Sequence, residues 1–76
     1  MYDTPIPKRL RLMLDNLGLT QKELAMMTGL TDSAISHYLS GDRLPHAGTL
    51  INISTSTNVS PNWILGFGSD DKMEKL

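Results

Sequence analysis

The chain has 76 residues, no cysteine and a formal net charge of −1 at neutral pH. This length allows one small domain, and the lack of cysteine excludes disulfides and thiolate metal sites. No apolar run approaches the ~20 residues of a membrane helix and the opening sequence MYDTPIPKRLR lacks the apolar segment of a signal peptide, so we expect a cytoplasmic protein with no cofactor and no membrane partner.

The first predicted helix follows the sequence TPIP. Pro7 suits its first turn, where the missing N–H would have no helical partner in any case. Gly18 is expected to end it. Its buried face is predicted from apolar residues at positions i, i+3, i+4 and i+7, which are Leu10, Met13, Leu14 and Leu17.

The second and third predicted helices begin with similar signals. Thr20 and Glu23 have the T-x-x-E spacing of a capping box, and Gly29 suits the left-handed residue that ends a helix. Thr31 is the expected N-cap of the third helix, and Gly41 is its expected end. The side chains that we expect to face the core are Leu24, Ala25, Thr28, Ile35, Tyr38 and Leu39.

Two further helices are predicted in a segment without charge, residues 47–69. The fourth runs from about residue 47 to residue 57, and the fifth has Ser60 as its cap and Pro61 in its first turn. Five short helices without a strand signal predict a compact all-α domain. We divide the chain into an N-terminal arm (1–7), a helical domain (8–68) and a charged, solvated tail (69–76).

The turn between the second and third helices has three residues, Gly29 to Thr31. A turn this short sets the two helices at a steep angle, as in a helix-turn-helix motif, which here spans residues 20–41. The second helix of such a pair can project from the surface, so its first turn can be polar.

This segment resembles the helix-turn-helix domain of the phage repressor and Cro family, also called lambda-repressor-like. The resemblance extends over residues 8–66 and implies that family's compact five-helix DNA-binding fold. It rests on Thr20, Gln21, Leu24, Ala25, Gly29, Ile35, Ser36, Tyr38, Gly41, Arg43 and Pro45, and downstream on Leu50, Ile53, Val59, Ser60, Trp63, Leu65 and Gly66.

The sequence departs from the family pattern inside the domain. The family often has an ion pair between the first and third helices, and Leu14 and Leu39 stand at those positions. Because replacing both partners of a buried ion pair by apolar residues is often neutral or stabilising, we expect these side chains to touch. Thr57 stands where the family usually has a large aliphatic residue.

The resemblance implies a sequence-specific transcriptional regulator that inserts its third helix, residues 32–40, into the major groove of a double-stranded DNA operator. Serine can donate or accept at base edges, histidine can donate to guanine, and aspartate can accept only from the cytosine amino group. A carboxylate in a first turn also complements the helix dipole, so this local role stays open for the aspartate. The base-reading candidates are Asp32, Ser33, Ser36 and His37.

Four residues are candidates for contacts with DNA phosphates. The family residue that matches Gln21 holds a phosphate together with the free N–H groups of its helix. Arg43 follows the recognition helix, and Thr31 and Lys22 lie near helix starts. Lys22 is weaker than the others, because a charge on a helix is usually only solvated, and the same holds for Lys8, Arg9 and Arg11.

The uncharged segment 47–69 indicates an interface, because depletion of charge is typical of interface centres. Family members often pair through this end, and a two-fold dimer would place two recognition helices about 34 Å apart. We therefore predict a homodimer through the fourth and fifth helices, with Trp63, Ile64 and Phe67 at the interface. Trp63 and Phe67 suit a core or an interface better than a platform for stacked bases.

A second function stays open. The same fold can serve as a modulator or antirepressor that docks on a partner repressor, and the neutral charge and Asp32 favour this. An enzyme is not expected, because His37 and His46 are isolated and the GFGS sequence at 66–69 is too short for a phosphate loop.

Overall fold

The computed structural model describes residues 3–76 and confirms the predicted all-α fold of five helices. Among these residues the β-pairing consists of one antiparallel bridge, between Val59 and Lys75, and no helix is long and apolar enough to cross a membrane. The helices are α1 (Ile6–Leu17), α2 (Gln21–Thr28), α3 (Asp32–Ser40), α4 (Ala47–Thr57) and α5 (Pro61–Leu65).

Local side-chain bonds set the start of α2. The Thr20 hydroxyl accepts from the Glu23 N–H at 3.1 Å, and the Glu23 carboxylate accepts from the Thr20 N–H at 2.9 Å. The hydrogen bond from the Thr20 N–H favours the ionised carboxylate. This bond and the Thr20 side chain hold the pKa of Glu23 below its ordinary value. Both halves of the predicted capping box are therefore present.

The turn between α2 and α3 depends on the residues at its two ends. Gly29 has φ 74°, a left-handed conformation that a residue with a side chain rarely adopts. The Thr31 hydroxyl then caps α3 by accepting from the Ala34 N–H at 3.1 Å. The two helices are thus separate elements, as the spacing predicts.

The prediction that the Ser60 side chain caps α5 is wrong. Ser60 does occupy the N-cap position, but its hydroxyl makes no capping bond. Its backbone N–H instead donates to the carbonyl of Glu74 at 2.8 Å. The start of α5 is therefore fixed by the C-terminal tail.

A single hydrophobic core lies among the five helices. Helix α1 packs against α3 and α5, and α2 packs against α3 and α4. Leu39 is half-buried against the core that contains Leu14, and the direct contact between these two stays a prediction. The hydroxyl of half-buried Thr57 donates to the Ile53 carbonyl at 2.7 Å, so its polarity is satisfied within α4. Core side chains without measurable exposure are Met13, Ile53, Val59, Trp63 and Ile64.

Arg9 is buried, although its place on α1 indicated a solvated or phosphate-binding charge. Its exposure is 4%, and its guanidinium carbon lies 4.8 Å from the centroid of the Trp63 ring. Helix C-termini leave carbonyls without helical partners, and Arg9 donates to the carbonyls in and after α5. The acceptors are Trp63 at 2.6 Å, Gly68 at 2.8 Å, Phe67 at 3.0 Å and Gly66 at 3.4 Å.

The C-terminal tail packs on the domain, so the expectation of a solvated tail is wrong for its backbone. The indole N–H of Trp63 donates to the Ser69 carbonyl at 2.8 Å, and the Leu76 N–H donates to the Asn58 carbonyl at 3.2 Å. Most of its charged side chains remain exposed.

Asp70 is the tail residue that binds α1. Its carboxylate accepts from Lys8 Nζ at 2.8 Å and from Arg9 Nε at 2.6 Å. The hydrogen bonds from Lys8 and Arg9 hold the pKa of Asp70 below its ordinary value. Pro5 also packs closely on Gly66, where an added Cβ would collide with the proline ring.

We predict that Arg9→Met lowers the free energy of unfolding by about 2–4 kcal/mol, because it leaves the carbonyls around α5 without their charged donor. Arg11→Met is the matched control, since exposed Arg11 donates one bond, to the Leu39 carbonyl at 2.5 Å; its cost should stay below about 1 kcal/mol. Urea unfolding followed by Trp63 fluorescence measures both. Equal losses in the two variants would contradict this role of Arg9.

We predict that Asp70→Asn is less stable than the parent chain at neutral pH and that this difference shrinks in acid. A carboxyl whose folded pKa is lowered stabilises the fold above its unfolded pKa of ~3.9, and this contribution disappears as the pH falls through the folded value. The urea concentration at the midpoint of unfolding, measured for the parent chain and for Asp70→Asn from about pH 7 to about pH 2.5, tests this. Asp71→Asn removes a charge from the exposed neighbour as a control, and a difference for Asp70→Asn that stays constant with pH would contradict the prediction.

Candidate nucleic-acid interface

The four predicted base-reading residues share one edge of α3, which we call the reading edge (Asp32, Ser33, Ser36 and His37). The first three are exposed, and the His37 side chain is 42% exposed. The opposite face of α3 carries Ile35, which is buried in the core. The reading edge is therefore accessible to an external macromolecule, while the rest of the helix is held by packing.

Gln21 joins the N-terminal ends of α2 and α3. Its side-chain Nε2 donates to the backbone carbonyl of Asp32 at 3.1 Å. An amide group has two N–H donors, so one remains for an external acceptor. The hydroxyl of Thr31 likewise accepts from its own helix and retains a hydrogen to donate.

The start of α2 offers backbone donors beside these side chains. Thr20 accepts the N–H groups of Glu23 and Leu24. The first two N–H groups of the helix, from Gln21 and Lys22, have no acceptor within the helix. Such groups, together with the positive end of the helix dipole, attract an anion.

The turn of the motif is anchored by two residues that sequence reasoning did not connect. The Asn52 side chain in α4 donates to the Thr28 carbonyl at 2.8 Å. The Thr28 hydroxyl accepts from the Leu30 N–H at 3.3 Å. The bond from Asn52 ties the end of α2 to α4, and the bond from Leu30 holds the turn that follows α2. No local pattern around residue 52 indicates the contact with Thr28.

The loop after α3 is bound to the end of that helix. The carbonyl of His37 accepts from the Gly41 N–H at 3.1 Å and from the Arg43 N–H at 3.3 Å. Arg43 is exposed, and its backbone lies beside His37 at the end of the reading edge. Asp42 lies in the same loop, with Oδ2 at 3.7 Å from Nδ1 of His37.

Few cations remain free beside the reading edge. Two exposed cations flank it, Lys22 before α3 and Arg43 after it, and two exposed carboxylates, Asp32 and Asp42, balance them. Among residues 3–76, no three side chains of the metal-ligating types come together as a metal site. The cations of α1 are engaged elsewhere: Lys8 and Arg9 bind Asp70, and Arg11 binds the Leu39 carbonyl.

The predicted interface residues are divided by the structure. Trp63 and Ile64 have no exposed surface, so their assignment to an interface is wrong; both belong to the core. A side chain without exposed surface cannot contact a second folded copy. Phe67 is 67% exposed. Leu65, at the end of α5, and Leu76, in the tail, are also exposed.

The five helices and the short turn between α2 and α3 define a class, the five-helix helix-turn-helix domain. The profile of a family described as helix-turn-helix matches residues 9–64, which is most of the chain. The chain belongs to this lambda-repressor-like helix-turn-helix family, and the resemblance found in the sequence is confirmed. Membership supports a DNA-binding regulator.

One solved structure illustrates the fold. The NMR structure of the DNA-binding domain of the P22 c2 repressor, residues 1–76, superposes with a TM-score of 0.76 at 22% sequence identity. The match covers 95% of this chain and 100% of that one. A search among curated proteins gave no match.

Proposed function

We propose that the chain is a sequence-specific regulator of transcription, of the phage or prophage repressor/Cro type, that binds a double-stranded DNA operator. In this proposal α3, residues 32–40, enters the major groove. The observation that carries the proposal is the exposed polar reading edge on a helix whose other face is buried. Family membership supports it independently.

The side chains of the reading edge have the chemistry for base recognition. Ser33 and Ser36 can donate or accept at several base edges, and His37 offers a ring nitrogen. Asp32 can accept only from the amino group of cytosine. We therefore propose that Asp32 restricts the operator to a C·G pair at its position, in addition to its favourable place at the helix start.

Phosphate contacts are proposed at both ends of α3. The free amide donor of Gln21, the Thr31 hydroxyl, Lys22 and the first N–H groups of α2 would bind one phosphate region. Arg43 would bind another beyond the end of α3. With two cations in these positions, hydrogen bonds rather than a strong positive field would align the protein on DNA.

A homodimer through α4 and α5 completes the proposal. The exposed apolar side chains Ile51, Leu65 and Phe67 support this, because they lie on these helices or directly after α5. A symmetric dimer would present two copies of α3 to successive major grooves.

The second candidate is a modulator or antirepressor that docks on a partner repressor. The exposed carboxylates of Asp32 and Asp42 and the small number of free cations favour it, since both weaken attraction to phosphate. Such a protein would bind a repressor tightly and show almost no affinity for DNA alone.

We predict that the chain binds sites selected from random duplex DNA with a salt dependence near −2 per protomer on a double-logarithmic plot, as expected for about two cation–phosphate contacts. Arg43→Ala should weaken all sites alike and reduce this slope by about 1, and Gln21→Ala should weaken all sites alike. Ser33→Ala and His37→Ala should change the preference among sites. Fluorescence anisotropy over a salt series measures these effects.

The control for these substitutions is Lys72→Ala, which removes an exposed cation from the tail. It should leave site preference unchanged and affect the slope less than Arg43→Ala. Absence of binding to any duplex at low salt, together with tight binding to a repressor, would replace the first candidate by the second.

We predict a dimer at high micromolar concentration without DNA, measured by sedimentation equilibrium. Phe67→Glu should shift the equilibrium toward monomer, because it places a charge among exposed apolar side chains. Met26→Glu, at an exposed apolar residue of α2 away from the proposed interface, is the matched control. A monomeric parent chain at these concentrations would contradict the prediction.

A further inference from the structure

His37 lies at ion-pair distance from a carboxylate of its own chain. Its Nδ1 is 3.7 Å from Oδ2 of Asp42, and both side chains are substantially exposed, at 42% and 59%. This separation is longer than a direct hydrogen bond but short enough for a charge to act on the ring. The contact involves the ring nitrogen nearer the backbone.

The backbone around Asp42 is fixed by the end of α3. The Asp42 N–H donates to the Ser40 hydroxyl at 3.3 Å, and this hydroxyl donates to the His37 carbonyl at 3.1 Å. The N–H groups of Gly41 and Arg43, on either side, donate to the same carbonyl. The backbone of Asp42 is therefore held near His37 by the course of the loop.

Other charged groups around this part of α3 come from each neighbouring element. The loop supplies Arg43, α1 supplies Arg11 at the Leu39 carbonyl, and Lys22 of α2 lies near Asp32 at the opposite end of α3. Among the described residues, Asp42 is the carboxylate within 4.0 Å of the His37 ring. It is therefore the negative group placed to act on Nδ1.

A carboxylate beside Nδ1 determines which tautomer of neutral histidine is favoured. A hydrogen on Nδ1 is attracted by the negative oxygen, whereas a lone pair there is repelled. The neutral histidine side chain in water favours the hydrogen on Nε2, and a carboxylate beside Nδ1 acts against that preference. With the hydrogen on Nδ1, the outward Nε2 carries a lone pair and accepts hydrogen bonds.

We propose that Asp42 is a positioning residue that keeps the hydrogen of His37 on Nδ1 and thereby sets the base that Nε2 reads; this rests on the proposed function. In this tautomer Nε2 accepts from an amino group, which adenine N6 and cytosine N4 present in the major groove. With the hydrogen on Nε2 instead, the ring would donate to guanine O6 or N7. The tautomer of His37 therefore sets which base pair it favours.

The first test needs no DNA. Long-range ¹H–¹⁵N NMR spectra at about pH 8 distinguish the two tautomers by the ¹⁵N shifts of the ring. We expect the Nδ1–H form to predominate in the parent chain and in Asp42→Glu, and the ordinary Nε2–H form to return in Asp42→Asn. Asp15→Asn, which removes an exposed carboxylate on α1, should leave the His37 signals unchanged. An Nε2–H tautomer in the parent chain would overturn the proposal.

The second test selects bound sites from random duplex DNA with the parent chain and with Asp42→Asn, both at the pH of the NMR spectra. At one base position, the parent chain should favour adenine or cytosine over guanine by roughly two- to tenfold, the effect of one hydrogen bond. Asp42→Asn should lose this preference or move it to guanine. Removing the Asp42 charge raises the affinity for every DNA site, so the readout is the ratio of the affinities for different sites.

The outcomes separate this inference from the proposed function. If no duplex binds, the proposed function fails, and the NMR spectra alone decide where the hydrogen of His37 resides. If DNA binds but Asp42→Asn selects the same base as the parent chain, the role of Asp42 is overturned while DNA binding stands.

Discussion

The guanidinium of Arg9 is the group on which the arrangement of the helices depends. It stands on α1, lies over the indole of Trp63 and donates to the carbonyls that follow α5. A helix of five residues is too short to be stable in isolation, so α5 exists because its end is bound by this cation and its apolar side chains are buried. Since α1 also packs on α3, the same residue helps to fix the helix that carries the reading edge.

The cations of α1 bind groups of the same chain, which leaves few free cations on the surface. Arg9 and Lys8 bind Asp70, so they stabilise the closure of the chain and do not contribute to a free basic patch. The cations beside the reading edge are Lys22 and Arg43, opposed by Asp32 and Asp42. In the proposed function, recognition by this surface would come from the placement of donors and acceptors, because few free cations are present to attract phosphate.

Local features of the fold could be predicted from the sequence. Helix starts follow from Thr20 and Thr31, and the end of α2 follows from Gly29, because capping bonds and left-handed residues involve neighbours in the chain. The choice of the reading edge follows from the resemblance to the repressor family. Its exposure is confirmed, whereas its contact with DNA stays a proposal.

The contacts that sequence reasoning missed join distant residues through backbone carbonyls. A carbonyl is present at every position, so nothing in the sequence marks Trp63 or Gly68 as a partner of Arg9, or Thr28 as a partner of Asn52. The uncharged segment around Trp63 and Ile64 predicts an interface, but a lack of charge is common to interfaces and to cores. Only burial, which depends on the packing of the tail and α1, separates the two.

We propose that the reading edge and the residues at its two ends contact DNA. Titration of ¹⁵N-labelled protein with a selected duplex, followed by backbone amide shifts, measures this contact residue by residue. We expect the largest changes at residues 21–22, 31–37 and 43, with small changes in α5 and the tail. Changes confined to α5 and the tail, with the signals of α3 unmoved at saturation, would contradict it.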